Sequence, residues 1–149
     1  MNGAGPAYVS AGGSIVMVVR ILILAFLFHW AWEGVHAAAY VESSGTLAFR
    51  LWHCLPMAAT DAGWTLALWM VVGGASRASR PIPPWRLVAL GILGAITAVA
   101  VERVALAEGR WTYNSLMPIV PVVQVGLWPL LQMIVLPVLT AWLSERLRR

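Results

Sequence analysis

Four side chains able to move protons, His29, Glu33, His36 and Tyr40, sit in one apolar stretch, ILILAFLFHWAWEGVHAAAYVE (21–42). At ~100° per residue their spacing of four, three and four puts them within about 60° of one another, on one helix face. Such groups inside a hydrophobic helix are costly and belong to a bundle interior or a cavity. Glu33 is mid-helix with no Arg near it in sequence. It must hold a proton or pair with His29, because a lone carboxylate is strongly disfavoured in hydrocarbon.

Two further acids fall where they can join this face. Asp61 opens a second apolar stretch and Glu102 closes a third, so alternating helix direction brings all three carboxyls to one depth. The chemistry this suits is acid–base proton transfer, with Glu33 as acid and Asp61 or His29 taking a proton back. His36, Tyr40, Trp64, Glu102, Trp111, Tyr113, Asn114 and Gln124 are expected to line the cavity, with the patch GRWTYNSLMP (109–118) over it. The bland readings are an interface ion pair of Glu102 with Arg103 or Arg110, and a helix-capping role for Asp61.

The elements that must hold these residues follow from composition. Of 149 residues, 60% are hydrophobic and 11% charged, and the mean hydropathy is +0.79. That is a membrane composition. A span takes ~20 apolar residues, which allows an all-α, polytopic single domain: a four-transmembrane-helix bundle with spans near 20–41, 57–73, 86–106 and 116–142. Residues 1–13 read as a small-residue leader. Residues 43–56 read as a loop with a short interfacial helix carrying Trp52 and His53, and 73–86 as a Gly/Ser/Pro/Arg loop. Pro118, Pro121, Pro129 and Pro137 are expected to kink the fourth span. Arg20, Arg77, Arg80, Arg86, Arg146, Arg148 and Arg149 fall on one side against Arg50, Arg103 and Arg110 on the other. This places both termini in the cytoplasm of a plasma (inner) membrane protein.

The same composition closes off other functions. Every basic residue is Arg, so lysine Schiff-base and P-loop chemistry are excluded. The net charge of +4 lies at segment ends, which speaks for orientation rather than nucleic acid. Cys54 is the only cysteine, so neither an internal disulfide nor a thiolate zinc site can form. Glu33-x-x-His36 is half of a di-iron motif whose second half is missing. No metal and no cofactor is expected.

Phe28, His29, Glu33, Gly34, Tyr40, Val41 and Glu42 together resemble the first conserved helix of the emopamil-binding, or EXPERA-type, family. The resemblance implies a four-helix membrane bundle around a lipid-sized cavity, and in its sterol isomerases an acid–base shift of a ring double bond. It implies His29 and Glu33 as polar cavity residues, with Asp61 where the family has a second-helix Glu. The family's last-helix Asn–Trp–Pro pattern is absent at its spacing; Gln124, Trp128 and Pro137 stand in for it. The expected partner is a membrane lipid or apolar small molecule, isoprenoid or sterol-like. The alternative is a non-enzymatic accessory or assembly subunit, in a homo-oligomer or larger membrane complex. Its polar groups would glue helices, and Gly91, Gly94, Ala95 and Ala98 would offer a packing face.

Overall fold

The computed structural model describes residues 11–42, 45–73 and 82–147. Most of the expected leader, the Gly/Ser/Arg part of the loop before the third span, and Arg77, Arg80, Arg148 and Arg149 lie outside them. The chain is mostly helical, with α1 (Ala11–His36), α2 (Leu47–His53), α3 (Leu55–Val71), α4 (Pro84–Ala107) and α5 (Leu127–Arg146). Strands β1 (Ile119–Val120) and β2 (Val125–Gly126) form a small antiparallel hairpin. Among the described residues, three stretches are long and apolar enough to cross a membrane: Gly13–Ala39, Pro84–Ala107 and Leu127–Arg146. Helix α3 runs beside them with 17 residues, about 25 Å at the α-helical rise.

Local chemistry sets the element ends. Thr46 caps α2, its hydroxyl accepting from Phe49 N at 3.3 Å. Prolines at the first positions of α3 and α4 give up an N–H that a helix start does not use. Gly109, at φ 66°, ends α4: its N–H reaches the Leu106 carbonyl, and Arg110 N reaches that of Ala105. That left-handed turn satisfies two last-turn carbonyls.

The fourth long helix differs from its sequence reading. It begins at Leu127, not near residue 116, because 116–126 form the β1–β2 hairpin. Pro118 and Pro121 belong to the hairpin segment, Pro129 falls in the first turn of α5, and Pro137 alone lies in the helix interior. Lacking an N–H, Pro137 leaves the Met133 carbonyl, four residues back, without its helical donor. Helix α4 comes in at that point: a Cβ on Gly94 would collide with the Met133 carbonyl, so only glycine allows the approach. Gly91 also faces α5, against Ile134 and Val138. The small-residue face is therefore spent on α5, inside the bundle.

Helix α3 packs on α1, α1 on α5 and α5 on α4, while α3 and α4 barely meet. The seam between them is closed at one end by an apolar cluster that includes Met17, Ile21, Leu68, Trp69 and Leu90. At the other end, where α1 finishes and α5 starts, it stays open.

Candidate functional site

The open end holds a cavity of about 370 Å³. Its floor is Glu33 on α1 and Ala37 just beyond it, with Pro129, Gln132 and Met133 on α5. Its walls are Met57, Thr60, Asp61 and Trp64 on α3 and Thr97, Ala98, Val101 and Glu102 on α4. Short side chains on both walls leave the space that Trp69 fills at the closed end. The roof is a zipper between the end of α1 and the segment after α4. Tyr40 and Tyr113 form a bridge, Val41 N donates to Thr112 O at 3.0 Å, and Asn114 N donates to Ala39 O at 3.0 Å. The Glu42 carboxylate accepts from Thr112 N at 3.1 Å and Thr112 Oγ1 at 2.7 Å. Those bonds hold its carboxyl below the usual carboxylate range.

The deepest polar group in the cavity is a pair of carboxyls hung on an amide. Gln132 Nε2 donates to Glu33 Oε1 at 3.0 Å and to Asp61 Oδ2 at 2.9 Å, and it lies 2.9 Å from His29 Nδ1. Both carboxyls thus hang on the one amide nitrogen, each within hydrogen-bond distance of it. Two amide hydrogens facing three acceptors leave Gln132 none to spare. With Gln132 donating to Nδ1, His29 carries its hydrogen on Nε2 and donates to Thr65 Oγ1 at 2.9 Å.

A second polar group sits under the roof. The Glu102 carboxylate accepts from Tyr40 OH at 3.4 Å, from Trp111 Nε1 at 3.2 Å and from Tyr113 OH. Tyr113 OH in turn accepts from Gly126 N at 2.9 Å, tying the hairpin to the bundle. Burial first, and the Glu102 charge after it, push both phenols above their ordinary range. Three donors thus converge on the Glu102 carboxyl. The ion pairs of its bland reading are not made: Arg103 donates to the Val123 carbonyl and Arg110 pairs with Glu108 at 2.5 Å.

Of the residues expected at the site, Glu33, Tyr40, Asp61, Trp64, Glu102 and Trp111 face the cavity. His29 does not; it is fully buried behind Gln132 and orients the amide instead of meeting a ligand. His36 also stands behind the wall, its Nε2 3.8 Å from Glu33 Oε2. Tyr113 serves Glu102, and Asn114 is a roof tie, donating to Ala38 O at 2.8 Å. Gln124 is corrected outright. It is an exposed turn residue at φ 54°, bonded to the Pro121 carbonyl at 2.5 Å, far in the fold from the helix position expected of it.

The glutamine that matters is Gln132, which sequence reading passed over along with Thr65. The signal was present in Gly126 and the two prolines before it: those breakers move the helix start past Gln124 and leave Gln132 as the polar residue of its first turns. His53 and Cys54 line the cavity too. Burial pushes the Cys54 thiol up to about 11, so it is a thiol rather than a nucleophilic thiolate. Among the described residues, no three His, Cys, Asp or Glu side chains gather closely enough to hold a metal ion. No protein-family model matches the chain, nor does any curated protein or solved structure.

Proposed function

We propose that the chain is a membrane enzyme that binds an apolar isoprenoid or sterol-like lipid and moves a double bond in it by proton transfer. The observation that carries this reading is the Glu33–Asp61 pair, two carboxyls held on the Gln132 amide and facing a cavity with mostly aliphatic and aromatic walls. In this reading the two share one proton. The slight contact between α3 and α4 leaves a side entrance from the bilayer, past the half-exposed Trp64 and Met57. Through it a lipid can enter without crossing water.

The pair is suited to a reaction that needs no net proton. One carboxyl donates its proton to an alkene carbon, and a C–H bond forms as the double bond opens. The resulting cation loses a proton from the neighbouring carbon to the other carboxylate, which closes the shifted double bond. The pair ends with the one proton it began with, moved to its partner, and passing it back across the pair resets the site. Gln132 holds the two oxygens in place throughout, and His29 with Thr65 holds Gln132.

The topology that goes with this reading has four spans, α3 being the second, and both termini in the cytoplasm of a plasma (inner) membrane. Arg20, Arg86 and Arg146 then lie inside with the four arginines outside the described residues. Reporter fusions after Ser79 and after Asn114 should read inside and outside respectively; the opposite pattern would invert the placement of the cavity in the outer half.

The reaction itself is tested by incubating the purified protein with a total membrane lipid extract in heavy water. One deuterium should enter an apolar lipid at carbon with wild type and not with Glu33→Gln. If no lipid gains carbon-bound deuterium, the isomerase reading is wrong. The helix-gluing accessory role then takes its place.

A further inference from the structure

The polar group under the roof takes no part in the double-bond shift, yet it faces the same cavity. Glu102 and Tyr40 both line that space and both are buried. Tyr40 follows Glu33 by seven residues, about two helical turns nearer the roof. The two oxygens of the Glu102 carboxyl are used unequally. Oε2 accepts from Trp111 Nε1 at 3.2 Å and from the Tyr113 hydroxyl, so it is filled from the roof side. Among the described residues, Oε1 takes a single bond, from Tyr40 OH at 3.4 Å. An O–H···O bond is ordinarily about 2.7–2.8 Å long, so this one is slack.

The two hydroxyls differ in the same way. Tyr113 is committed on both sides, since its oxygen also accepts from Gly126 N at 2.9 Å. The Tyr40 hydroxyl has only its slack bond to Glu102 among the described residues. Its ring is fixed, with the His36, Trp111 and Tyr113 rings at centroid distances of 5.6, 6.2 and 5.5 Å. The cavity wall therefore presents one donor and one acceptor side by side, each with capacity to spare.

That pairing selects the chemistry of what it can bind. An ether or ketone only accepts, an ammonium only donates, and a hydrocarbon does neither. A hydroxyl does both: it takes the Tyr40 hydrogen, gives its own to Oε1, and replaces one slack bond with two. A phosphate head does not suit this end. The Glu42 and Glu102 carboxyls both line it, and the Arg110 guanidinium there pairs with Glu108.

We infer that Tyr40 and Glu102 form the specificity end of the cavity, binding the hydroxyl of an isoprenoid alcohol whose hydrocarbon body runs to the Glu33–Asp61 pair. The inference rests on the proposed reading of the cavity as an isoprenoid site, but not on the double-bond shift. By fixing the hydroxyl at the roof, the two residues decide which part of the ligand lies against the carboxyl pair.

The test is binding of tritiated farnesol to the purified protein, with farnesyl methyl ether and the saturated hydrocarbon farnesane as competitors. Wild type should prefer farnesol to the ether about tenfold or more, the scale of one hydrogen bond to a carboxylate. Farnesane should bind most weakly. Because the three partition differently into detergent, the wild-type ratios are read against two variants whose melting temperatures are checked. Tyr40→Phe keeps the ring and loses the donor, so the alcohol and the ether should both weaken while farnesane does not change. Glu102→Gln must turn its carbonyl oxygen to Trp111 and Tyr113, which puts the amide nitrogen where Oε1 was. A donor there cannot take the ligand's hydrogen, so farnesol should lose its advantage over the ether. Tritiated cholesterol against its methyl ether repeats the comparison on a ring skeleton, and the alcohol that binds identifies the skeleton. An alcohol preference that is the same in wild type and Glu102→Gln overturns the inference. So does an unchanged affinity for both alcohols in Tyr40→Phe, whether or not any lipid is turned over. If no alcohol, ether or hydrocarbon binds, the isoprenoid reading falls and the inference with it. Binding in the expected order without carbon-bound deuterium in the lipid extract sinks only the isomerase reading.

Discussion

The two ends of this bundle are made by the same helices and solve opposite problems. At the closed end, Trp69 of α3 and Leu90 of α4 belong to one apolar cluster that closes the seam. At the open end, Thr60 and Asp61 face Thr97 and Ala98 across a gap of about 370 Å³. The closed end has the apolar packing that joins α3 to α4. The open end carries buried carboxyls and a gap between α3 and α4, neither of which a bundle needs for stability. Cohesion and chemistry have been kept apart along the helix axis.

The sharpest way to break this comparison is to change the acids. Glu33→Gln keeps size and hydrogen bonding and removes the titratable proton, so turnover in the proposed reaction should drop by about 100-fold or more while thermal stability holds or rises. Asp61→Asn should behave alike. A Glu33→Gln protein that unfolds early would mean the open end is part of the scaffold after all.

The converse test is Trp69→Ala at the closed end. Truncating a buried aromatic there should cost about 3–5 kcal/mol, seen as a lowered melting temperature. Turnover per folded molecule should remain, since Trp69 touches no carboxyl of the site. Full stability would show that the seam does not depend on that plug.

Smaller effects belong to the roof. Because its two bonds from Thr112 hold the Glu42 carboxyl below the usual carboxylate range, the tie is complete at neutral pH. It is lost as pH falls through the depressed folded value. Hydrogen-exchange protection factors at Tyr113 and Asn114 should therefore fall in acid, and Thr112→Val should lower them already at neutral pH. Smallest of all, Glu108→Gln removes a half-exposed pairing with Arg110. Such surface pairs contribute about 0–1 kcal/mol, so neither melting temperature nor turnover should move measurably.

The sequence by itself determined that the chain is helical, apolar enough for a membrane, and marked by a polar stripe on its first long helix. It also brought Glu33, Asp61 and Glu102 to one end, because alternating apolar segments must run up and down. Those features are set by period and hydropathy, which act along one helix at a time. Only the tertiary structure decided which side chains meet. Gln132 rather than Gln124 holds the carboxyls, since a hairpin takes up the residues before Leu127. His29 backs the site instead of facing it, and Glu102 takes Tyr40, Trp111 and Tyr113 in place of an arginine. The physical reason is the same in each case. A face on a helix gives a direction, but a hydrogen bond needs a partner within about 3 Å, and that partner lies on another helix whose rotation and start no single segment encodes.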